Sequence, residues 1–71
     1  MSVKVVAGIR AMNKRGHEAH LCKRDGFTWV EIDHKMLASF QEMEELVDCK
    51  HTFEDLAERF EKRFAQEPGT L

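Results

Sequence analysis

The chain has 71 residues, 42% hydrophobic and 34% charged, with a formal net charge of −2. That is the length of one small domain, 1–71, and a domain so short buries only about 60% of the surface its unfolded chain exposes, so a deep substrate cavity would remove stability it can hardly spare. The apolar fraction is too high for a disordered chain; no apolar run approaches the roughly 18 residues that cross a bilayer, and Val3 to Ile9, interrupted by Lys4 and Gly8, is too short for the core of a secretory signal.

The chain begins at Met1 without tag or low-complexity tract and reads as a short complete open reading frame. Two cysteines, Cys22 and Cys49, fall short of the roughly four to eight that hold small secreted domains together, so reduced thiols and a cytoplasmic location are expected.

Val3, Val5, Ala7, Ile9 and Ala11 alternate with Lys4 and Arg10, which predicts a strand over about 3–11. Asn13-Lys14-Arg15-Gly16 supplies a tight reversal. A second strand is expected over 17–24, with Ala19 and Leu21 facing one way and His20 and Cys22 the other. Asp25-Gly26, the dipeptide favoured where both central turn residues need positive φ, leads into a third strand over 27–32.

After Asp33, read as an N-cap, the period shifts to about 3.6: Met36, Leu37, Phe40, Met43 and Val47 form one stripe, which predicts a helix over about 34–48. Thr52-Phe53-Glu54-Asp55 reads as a capping-box variant opening a second helix over about 53–66, with Phe53, Leu56, Ala57, Phe60 and Phe64 on one stripe and Pro68-Gly69 as its stop. The fold class inferred is α+β, a three-stranded antiparallel meander followed by a C-terminal helical hairpin (βββαα) packed on one sheet face.

A double-stranded-RNA-binding domain has a helix, three strands and a helix; the chain as read lacks the first helix and ends in two, so that comparison is set aside. A helix-turn-helix reading fares no better, since Glu54 and Asp55 would meet phosphate at the start of its second helix.

Charge is divided along the chain. Residues 1–26 carry six Lys or Arg against two acids, net +4, and residues 27–71 carry five against eleven, net −6. The outer face of the expected first helix, with Glu42, Glu44, Glu45 and Asp48, can orient a basic partner surface. Arg10, Lys14, Arg15, Lys23 and Arg24 form the basic counterpart, for a protein or a nucleic acid. Phe27 and Trp29 share a strand face and would stack bases if exposed; core packing is the plainer role. The methionines lend adaptability to any docking surface, and an open three-stranded sheet leaves two edges for a partner strand or a homodimer.

His17, His20 and Cys22 in the second strand and Cys49 and His51 between the helices are the zinc candidates. Their spacing matches no zinc ribbon or finger, so neither metal nor cofactor is expected. The serines, Ser2 and Ser39, sit in no exposed strained turn, and the four glycines are scattered. We expect a non-enzymatic, cytoplasmic protein-binding module without a membrane segment, an inhibitor or adaptor of a larger protein of the phage- or plasmid-type kind. Nucleic-acid binding through the basic sheet half is the alternative.

Overall fold

A computed structural model describes residues 2–66. The chain opens with a helix, α1 (Val3–Lys14), followed by β1 (Ala19–Arg24), β2 (Phe27–Ile32), β3 (Met36–Ala38), α2 (Phe40–Val47) and α3 (Phe53–Ala65). The three strands form one antiparallel sheet in the order β1-β2-β3. The α+β class is as expected, but the βββαα order is wrong.

The strand expected over 3–11 is the first correction. Alternation and helical spacing coincide in this segment, because Val5, Gly8, Ile9 and Met12 repeat at three and four residues, and Val5, Gly8 and Met12 are the positions the helix buries. Ser2 caps it by accepting from the Val5 amide, and the other end closes in a Schellman motif, with His17 N donating to Met12 O and Gly16 N to Asn13 O, Gly16 having φ 95°. Asn13 to Gly16 thus ends a helix rather than joining two strands. A short apolar run favours helix or strand according to what it packs against, and here the partner is α2.

The helix expected over 34–48 is the second correction. Asp33 does not cap it: Asp33 and His34 both have positive φ, with Lys35 N donating to Ile32 O, the sign pattern of a type I′ turn, and Met36 to Ala38 then pair with Val30 to Ile32 as β3. Ser39 caps the shorter α2, in a capping box that Glu42 completes. β2, the Asp25-Gly26 turn with both φ positive, and α3 with its Thr52–Asp55 capping box stand where expected, and β1 begins two residues later. Pro68-Gly69 lies outside the described residues.

Ala19, Val30, Ile32, Met36 and Ala38 line the inner sheet face and meet Val5 and Met12 of α1, Met43 of α2, and Leu56 and Phe60 of α3. Burial of each large side chain here contributes about 1.5–3 kcal/mol. Met12, Met36 and Met43 are core residues rather than an adaptable surface. α1 packs on α2 and β1, while α3 lies against β3, where Arg63 Nη1 donates to Leu37 O at 2.9 Å. The two sheet edges therefore differ, since β3 is flanked by a helix and β1 is the outer strand on the other side.

Candidate functional site

The expected acidic face does not form as a unit. Glu42 is 7% exposed and holds α2 to α3: Arg63 Nη1 donates to Oε1 at 2.6 Å, Arg63 Nη2 to Oε2 at 3.1 Å and Arg59 Nη1 to Oε2 at 3.2 Å, while Oε1 accepts from the Ser39 amide. Burial alone would push its carboxyl up, but the hydrogen bonds from Arg63, Ser39 and Arg59 override it and bring it down to about 2. Asp48 accepts from Lys4 of α1 at 2.8 Å, and Glu45 lies 3.7 Å from His51. Glu44 is half-buried.

The basic residues divide between two elements. Arg10, Lys14 and Arg15 are exposed on the second half of α1 and its cap, and Lys23 is exposed on β1. Arg24 is half-buried, with its guanidinium 2.6 Å from Glu31 Oε2 and over the Phe64 ring. Trp29 is half-buried under Arg63, whereas Phe27 is 68% exposed.

Among the described residues the β1 edge is capped only at its start. The Asn13 side chain donates to Ala19 O and accepts from Ala19 N, standing in for one rung of a neighbouring strand. Asp33 N donates to Glu18 O, so by the alternation of an antiparallel ladder the backbone groups of Ala19, Leu21 and Lys23 point away from β2. Among the described residues nothing pairs those of Leu21 and Lys23. Leu21 is itself 39% exposed.

The histidines and cysteines do not gather as a zinc set. His17 Nδ1 lies 2.7 Å from Asp33 and its ring packs on Phe53; Cys22 is half-buried opposite Trp29; Cys49 is exposed after α2; His51 is exposed near Glu45. His20 instead joins Glu31 and His34, whose donor atoms lie within 4.8 Å of one another, the one such group among the described residues. Sequence reasoning missed Glu31 and His34. The alternation that pairs His20 with Glu31 across the hairpin was readable from the Asp25-Gly26 turn, but His34 reaches them only because residues 33–35 form a turn and not a helix.

Both serine hydroxyls act as helix caps, Ser2 for α1 and Ser39 for α2. A cleft of about 360 Å³ opens between α1 and the α2–α3 connection, lined by Gly8, Met12, Met43, Val47, His51 and Phe53. No helix among the described residues is long and apolar enough to cross a membrane. Comparison with known proteins finds no match to a family model, a curated protein or a solved structure.

Proposed function

We propose that the protein is a binding module that takes an extended, acidic segment of a larger protein as a fourth strand along β1. The observation that carries this reading is the asymmetry of the sheet, in which α3 occupies the β3 side while the outward backbone groups of Leu21 and Lys23 have no partner among the described residues. An added strand gains affinity from main-chain hydrogen bonds and specificity from alternate side chains. Charge selects the acidic sequence: Lys23 lies on the edge, and the adjacent α1 exposes Arg10, Lys14 and Arg15. The same charges disfavour a second copy pairing β1 to β1.

The test uses short fluorescein-labelled peptides that alternate Val or Thr with Asp or Glu. Binding is expected to shift the backbone amide resonances of 19–24 and to weaken about tenfold in Leu21→Pro, which removes one outward N–H without touching the β1–β2 ladder. Shifts confined to α2 and α3, or equal affinity for a peptide with Lys in place of the acids, refute it.

A second reading is nucleic-acid binding, favoured by the exposed run of Arg10, Lys14 and Arg15. With α1 present, the order helix, three antiparallel strands, helix does occur from α1 to α2, so the missing first helix is no longer an objection; α3 remains an addition to that order. Binding to duplex RNA with a steep salt slope and unchanged in Leu21→Pro selects this reading over the first.

A further inference from the structure

The turn that joins β2 to β3 brings together side chains that the strand pairing alone would not. His20 and Glu31 are opposite each other across the β1–β2 ladder and project from the same sheet face. Asp33 and His34, at φ 55° and 57°, turn the chain back so that the His34 ring lies 5.5 Å from the His20 ring. Glu31 Oε1 then faces His20 Nε2 at 3.0 Å and His34 Nδ1 at 3.3 Å. The Glu31 side chain is 10% exposed, while the His20 and His34 side chains are 46% and 65% exposed.

Two flanking groups prepare these atoms. Glu18 Oε2 lies 2.8 Å from His34 Nε2; a carboxylate only accepts, so the proton sits on Nε2. Nδ1 then faces Glu31 Oε1 at 3.3 Å, a contact that either a second ring proton or a metal cation bound between the two atoms satisfies. On the far side Arg24 holds Glu31 Oε2 at 2.6 Å, which fixes the carboxylate and leaves Oε1 as a single donor oxygen. Carboxylates behind an imidazole and donors behind a carboxylate are the usual outer partners of metal ligands.

We infer that His20 Nε2, Glu31 Oε1 and His34 Nδ1 form a binding site for a zinc ion, with Glu18 and Arg24 orienting the ligands. Two imidazoles and a carboxylate suit zinc and other first-row divalent ions rather than calcium or magnesium, which take all-oxygen shells. Bonds of about 2.0–2.2 Å in a tetrahedron place neighbouring donors about 3.3 Å apart. Two of the donor separations already match that edge to within a few tenths of an ångström, and one donor atom from each of the three residues lies within 4.8 Å of the other two. Three protein ligands leave the fourth position to water or to an incoming carboxylate, and the exposure of both imidazoles places it at the surface.

Calorimetric titration of the full chain with zinc sulfate in mildly alkaline buffer, where fewer protons compete with the metal, tests the site. One zinc per chain is expected at micromolar protein, with affinity reduced at least about tenfold in His20→Ala and in His34→Asn, the latter chosen because Asn tolerates positive φ. Glu18→Gln should weaken binding about tenfold through loss of its outer carboxylate. The controls His51→Ala and Cys49→Ser should bind as the parent does. Cobalt should replace zinc and give the visible bands of a four-coordinate site, absent in His34→Asn. Circular dichroism confirms that each variant is folded. No zinc uptake by the folded parent, or binding lost equally in His51→Ala or Cys49→Ser, overturns the site.

Discussion

Glu42 shows how far a residue's role depends on what it touches. Helical periodicity places it among the acids of a solvated face, yet its carboxylate is nearly enclosed by Ser39, Arg59 and Arg63. Half of this was legible, because Ser39-x-x-Glu42 is a capping box in plain view. The arginines were not, since they lie 17 and 21 residues away and meet Glu42 only once α3 has docked. The consequence can be measured in acid. The carboxyl is held at about 2, below its ordinary 4.5, so its contribution is fully present above 4.5 and is lost as pH falls from there toward 2. The shift corresponds to at most about 3 kcal/mol, which solvent screening reduces. Glu42→Gln, which keeps the bond to the Ser39 amide but not the charge, is expected to lower Tm at neutral pH and to flatten the acid limb of a Tm-against-pH curve. An unchanged limb would show that the arginine contacts contribute nothing.

At the scale of elements, what the sequence revealed was local chemistry. The Asp25-Gly26 turn, the Thr52 cap and the stripe through Leu56 and Phe60 each act within a few residues, and each was read correctly. What it hid was the choice between two periods that the same residues satisfy. Val5 and Ile9 fit a strand face and a helix face alike, and Gly8 is informative only when its neighbour is known. A Cβ on Gly8 would come within 2.8 Å of Met43 Cε and 3.3 Å of Val47 Cγ2, so glycine allows α1 and α2 to approach closely. Gly8→Ala meets mainly the end of a flexible Met and gains up to about 1 kcal/mol of helix propensity, leaving stability nearly unchanged. Gly8→Leu should destabilise by about 1–3 kcal/mol, as overpacking does. Denaturant midpoints of the two variants compare these directly, and a Gly8→Leu protein as stable as the parent would mean that the helices are not in close contact.

For the molecule as a whole, the division into a +4 and a −6 half describes the fold less well than the sequence did. Several acids of the second half are bound internally, by Lys4 to Asp48, Lys62 to Glu58 and the arginines to Glu42, whereas Arg10, Lys14, Arg15 and Lys23 remain exposed on the side of α1 and β1. Association at that side should therefore slow as salt rises, which stopped-flow mixing with the acidic peptides would record. The Asn13 amide, which supplies the first rung beside β1, also sets which parts of the molecule can open separately. The Ala19 N–H is bonded to a helix side chain, so its exchange with solvent requires that the Asn13 amide swing away or that the last turn of α1 leave the sheet. Hydrogen exchange at Ala19 should be slow in the parent and markedly faster in Asn13→Ala, with amides of β2 little changed. If it is, the Asn13 amide ties the start of β1 to the end of α1, and a ligand that holds β1 would also hold the helix that precedes it.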